Sequence, residues 1–177
     1  MRRAGAVALA TAIAALAASA TGASAQSGWT PVTDPLGSGT PNGSITLPPS
    51  NCGFPVQIGV VANRERQNMT PIGPPAPAGT TLTQIRGKLV LSFTNTNSGQ
   101  TVVRDESGPT DTYAYPAGNG IETATGENWW GFGPRSQANT GEPGLVFTSR
   151  LVILSFGGGA VTAFWTQQQV NGCSLLG

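Results

Sequence analysis

From Cys52 onward the chain alternates apolar and polar residues with a period of two and carries no convincing helical period, which confines it to β structure. Val56, Ile58 and Val60 alternate with Gln57 and Gly59. In the strongest run, Leu82 to Thr94, the side chains of Leu89, Leu91 and Phe93 share one face while Lys88, Val90 and Ser92 take the other. Turn chemistry separates the runs. Asn63 to Asn68 reads as a charged turn, and Pro71 to Gly79 as a proline-rich loop that no regular element crosses. Asn95 to Gly99 turns the chain back into Thr101 to Asp105, since Asn and Gly accept left-handed backbone angles. Thr110 to Tyr115 turns through Pro116 to Gly120 into Ile121 to Thr125, and two long strands, Leu145 to Phe156 and Ala160 to Val170, meet at Gly157-Gly158-Gly159. The series predicts an all-β fold, an antiparallel β-sandwich of about seven or eight strands, with an up-and-down β-barrel as the alternative.

The first 25 residues read as a signal peptide: Arg2 and Arg3, an alanine-dominated run from Ala4 to about Ala18, and a small-x-small cleavage pattern at Ala23-Ser24-Ala25. A retained anchor needs about 20 strongly apolar residues. This stretch is shorter and weakly hydrophobic, and no second run is long enough to span a membrane. The expectation is a secreted, extracellular chain beginning at Gln26. In an oxidising compartment Cys52 and Cys173, the only two cysteines, are expected to pair. Such a bridge holds the start of the first clear strand beside the end of the last, and contributes roughly 4–5 kcal/mol in the chain-entropy treatment. Residues 26–50, with Pro31, Pro35, Pro41, Pro48 and Pro49 among Gly, Ser and Thr, predict a flexible lead-in to which Ile45 and Leu47 add at most a short edge strand. Residues 51–177 then form a single β-domain.

Composition narrows function mainly by exclusion. Arg2 and Arg3 leave with the leader, so seven basic residues face eight acidic ones, and no basic face is available for nucleic acid. The chain has no histidine, which removes a Ser-His-Asp triad, a Cys-His metal site and the usual pH switch together. No cofactor motif is present and no metal site is expected.

Two segments resemble a recurring part of small secreted actinobacterial proteins. One is Ile85-Arg86-Gly87-Lys88-Leu89 leading into Ser92 to Val102, and the other is Gly144 to Val152. In that group a Cys-x-Phe-Pro opening, here Cys52-Gly53-Phe54-Pro55, starts a β-rich domain after an alanine-rich signal peptide. The resemblance implies the same fold and location and carries no active site with it.

The most suggestive chemical cluster is Asn128-Trp129-Trp130-Gly131-Phe132-Gly133-Pro134-Arg135. Aromatic side chains among glycines can form a platform for a sugar ring or an anchor for a protein, which makes Trp129, Trp130, Phe132 and Arg135 the candidate binding residues. The plain alternative is a strand end whose two tryptophans face opposite ways. Carboxylates at Glu122, Glu127, Asp105, Glu106 and Glu142 allow a paired-acid glycan hydrolase, and Asp105, Glu106 and Asp111 flank one turn where calcium would need clustered oxygens. Solvated surface carboxylates are the commoner origin of both patterns. The sequence thus points to a non-enzymatic secreted β-domain with a binding or surface-associated role. Its alternatives are a module for polysaccharide or a cell-surface component at the Trp129-Trp130 loop, and, behind that, a carboxylate-based hydrolase.

Overall fold

The computed structural model describes residues 28–177, so the signal peptide expected at residues 1–25 lies outside the described residues. Among those described, fourteen short strands form three open antiparallel sheets, and the fold is a layered β-sandwich rather than a barrel. The large sheet runs in the order β1 (Thr30–Pro31), β4 (Arg66–Pro71), β5 (Thr81–Arg86), β8 (Thr110–Ala114), β9 (Gly120–Ala124), β12 (Val152–Gly157), β13 (Ala160–Thr166). A four-stranded sheet has the order β2 (Ile45–Leu47), β3 (Val56–Asn63), β6 (Leu89–Asn95), β7 (Thr101–Asp105). Between them lies a small sheet, β10 (Asn128–Gly131), β11 (Leu145–Thr148), β14 (Gln169–Asn171).

The strand count exceeds the sequence expectation because two long hairpins bend from one sheet into another. In the first, residues 56–95, β3 pairs with β6 in the four-stranded sheet and β4 continues the same ladder with β5 in the large one. The bend lies at Arg64–Glu65 opposite Gly87–Lys88, held by the Arg64 N–H on the Lys88 carbonyl (2.7 Å). The run from Leu82 to Thr94 is therefore two strands, and the charged turn at 63–68 shrinks to Arg64–Glu65, with Arg66 already in β4. In the second hairpin, residues 145–171, β11 pairs with β14 in the small sheet and β12 with β13 in the large one. Its bend is closed by Ser149 N–H to the Gln168 carbonyl and Gln167 N–H to the Leu151 carbonyl, both 3.1 Å.

Burial follows the alternation within each arm. Leu89, Leu91 and Phe93 are buried together with Leu47, Val56, Ile58, Leu145, Phe147 and Leu176 in the core between the four-stranded and small sheets. Phe93 sits at its centre, edge-on to Phe147 (4.7 Å between ring centres) and to Trp129 (5.7 Å). All four residues of β11 are buried. Leu145 and Phe147 face that core, and Val146 and Thr148 face the large sheet, as expected of a strand covered on both sides.

Among the described residues three short helices escape the period-two reading because each is too short to display a sustained amphipathic spacing. They are α1 (Pro49–Cys52), α2 (Pro134–Thr140) and α3 (Gly172–Leu176). Cys52 in α1 and Cys173 in α3 form the expected disulfide, with 5.2 Å between Cα atoms across a sequence separation of 121. The described part of the predicted lead-in is built into the fold. Thr30–Pro31 pair with β4, Ile45–Leu47 pair with β3, and Leu47 is buried. The Asp34 carboxylate closes the intervening turn by accepting from the Ser38 and Gly39 N–H groups (3.0 and 2.7 Å).

Candidate functional site

The structure takes the aromatic cluster apart. Trp129 and Trp130 are in strand β10, half-buried and facing opposite ways. Trp129 packs on Phe93 in the core, while Trp130 lies edge-on to Phe164 of the large sheet (6.2 Å) and donates its Nε1–H to Thr148 Oγ1 (3.2 Å). Phe132 is fully buried 5.0 Å from Phe164. Arg135 is exposed, but its Nη1 donates to the Gly158 carbonyl (2.8 Å) and so braces the β12–β13 turn. The plain alternative, a strand with a tryptophan on each face, is the one observed. These four residues do not form one exposed platform.

The carboxylates do not converge either. Glu127 is exposed and paired with Arg104 (3.3 Å), Asp105 is paired with Lys88 (3.5 Å), and Asp111 with Arg86 (2.6 Å). Glu142 accepts from Gln169 Nε2 (2.9 Å). Glu122 lies on the inner face of the large sheet, where burial pushes its carboxyl up to about 7 against the opposing effect of the Thr112 hydroxyl. Glu106 ends up inside the sandwich, 3.8 Å from Arg104 Nε, with neither carboxylate oxygen hydrogen-bonded. Burial raises it to about 8, opposed by the Arg104 charge and reinforced by Glu127 and Asp105. Among the described residues no three metal-ligating carboxylates, thiols or imidazoles come together.

What the fold does leave open is the outer face of the large sheet. Pairing register places Ile153 of β12 directly opposite Trp165 of β13, and Ile121 of β9 directly opposite Tyr113 of β8, which in turn faces Leu82 of β5. Side chains two residues apart on adjacent strands share this face. Trp165, Ile153 and Ile121 are 51%, 40% and 37% exposed, whereas their inward neighbours Val152, Leu154 and Ala124 are buried. At the upper end of the face Tyr113 and Tyr115 border an open groove of about 960 Å³, walled by Ile72, Pro74, Pro75 and Pro77 from the tip of the first hairpin. At the lower end Arg86 is committed to Asp111 and to the Thr110 carbonyl (2.8 Å), and Gln84 reaches the same carboxylate (3.4 Å).

The tyrosines, Ile121, Ile153 and Trp165 stand out in sequence only through one weak sign. Val152-Ile153-Leu154 and Phe164-Trp165 are apolar at both parities of a strand, so an apolar residue must face outward somewhere. Compared with protein-family models, curated proteins and solved structures, the chain matches none.

Proposed function

We propose that this chain is an extracellular, non-enzymatic binding domain whose working surface is the outer face of the large sheet. The observation that carries the reading is the separation of its aromatic side chains. Those of the 128–132 segment are spent on packing both layers of the sandwich, while Trp165, Ile153 and Ile121 remain in contact with solvent on one open face. The alanine-rich leader, the resemblance to small secreted proteins and the Cys52–Cys173 bridge support the location, since such a bridge persists in oxidising surroundings. A platform at Trp129-Trp130 loses its geometric support because both indoles are taken up by neighbours.

The test is co-sedimentation of the purified, disulfide-bonded protein with insoluble polysaccharides, peptidoglycan sacculi and phospholipid vesicles. The variant Ile153→Ser/Trp165→Ala is compared with Val103→Ser, which alters an exposed valine on the four-stranded sheet. Wild type and the Val103 variant should be retained on the same material, and the double variant released. Equal retention of all three, or none on any material, would sink the proposal.

A further inference from the structure

We infer that the ligand of this face is a neutral polysaccharide chain, laid diagonally across the large sheet from the tyrosine–proline groove to Trp165. The inference rests on the reading that this face is the working surface, and adds its ligand class and direction. Register fixes the path. Tyr115 lies two residues beyond Tyr113, Tyr113 is opposite Ile121, Ile121 is offset by two residues from Ile153, and Ile153 is opposite Trp165. Three inter-strand steps and two such offsets give a stripe roughly 20 Å long. It is one residue wide on each strand, which suits an extended chain better than a broad protein patch.

The chemistry beside the stripe selects the class. A pyranose ring presents apolar C–H groups on its faces and hydroxyls around its rim, so it wants rings and aliphatic groups beneath it and neutral hydrogen-bonding groups at the side. The stripe supplies Tyr115, Tyr113 and Trp165, and the register puts Ser155 and Thr123 between its members; beyond Thr123 the row continues through Asp111 to Gln84. Charge is nearly absent from it. Arg86 and Asp111 neutralise each other at the lower end, and Arg66 is turned to the Trp29 carbonyl (2.7 Å). An acidic polymer or an anionic membrane would call for several free Lys or Arg among the apolar residues. The strand partners of Ile153, namely Trp165 and Thr123, are uncharged, and a single exposed arginine, Arg150, lies at the bend that leads into β12. The groove gives the path an end, because its proline walls and two tyrosines form a concave part of the face.

Affinity electrophoresis through gels containing hydroxyethyl cellulose or galactomannan, with alginate as the acidic counterpart and anionic vesicles in a parallel flotation assay, tests this. Tyr115→Ala and Trp165→Ala alter the two ends of the stripe, Tyr115→Phe keeps the ring, and thermal melts confirm that each variant is folded. The expected result is retardation by a neutral polymer, insensitive to salt, weakened about tenfold by either alanine variant and preserved in Tyr115→Phe. Retention by vesicles, alginate or a second copy of the chain, lost in Trp165→Ala and without any neutral polymer, would overturn the ligand class and leave the surface standing. Equal retardation of wild type and both alanine variants would overturn the surface as well.

Discussion

The two bent hairpins follow one plan and bend for different reasons. In the first, the bend needs a missing side chain: Gly87 has φ of +130°, and a Cβ there would run into the Arg64 carbonyl and, at 2.8 Å, the Glu65 Cα. In the second, the bend is exposed and tolerates Arg150 at φ of +78°, so the strain is carried by an ordinary residue with room around it. The first bend also buries the Glu65 carboxyl, which desolvation pushes up to about 7. The second has only Ser149, Arg150, Leu151, Gln167 and Gln168 at its corner. A bend packed against backbone admits one residue type, and a bend in solvent admits many.

The disulfide ties the hairpins together, since Cys52 precedes β3 and Cys173 follows β14. Replacing both cysteines by serine should therefore have the largest effect, a loss of roughly 4–5 kcal/mol by chain entropy, seen as a lowered denaturant midpoint. Gly87→Ala comes next. The combined cost of the backbone conformation and the clash is about 3 kcal/mol, and a melting temperature within a degree or two of wild type would show that the bend is soft.

The pH response separates the hairpins further. Glu65 holds its proton in the folded chain to about 7, against 4.5 for the ordinary value, so the folded state binds the proton that the unfolded chain gives up. Stability from this group is complete below pH ~4.5 and is lost as pH rises through 7, by an amount on the order of 3 kcal/mol. Glu106 and Glu122 act in the same direction. Melting temperatures should fall from pH 5 to pH 8, and Glu65→Gln should flatten that slope. A slope unchanged by the substitution would show that the first bend does not carry it. The smallest effect belongs to the second bend: Arg150→Gly should raise stability by about 0.5 kcal/mol, the relief of positive φ being partly cancelled by a more flexible unfolded chain.

Much of the fold was legible within single strands. Leu89, Leu91 and Phe93 were assigned to one buried face by alternation, and the turns at 95–99, 116–120 and 157–159 by their Asn, Pro and Gly content. The sheet changes at Gly87 and Arg150 were not, because a period of two runs through a bend without losing phase. The candidate site was less legible. Trp129 and Trp130 are conspicuous in the sequence by adjacency, yet adjacency on a strand sends one to each side, and here both sides are occupied. Trp165 follows Phe164 in the same way, but beyond it there is no further layer, so it meets solvent.

The sequence by itself determined β structure, the positions of most turns, the pairing of Cys52 with Cys173 and the inward set of β6. These depend on local periodicity, turn chemistry and a cysteine count of two. Only the tertiary structure decided which aromatic residues are left for a ligand. Exposure on a strand depends on whether another sheet covers that face, and stacking of sheets is set by contacts between residues far apart in the chain.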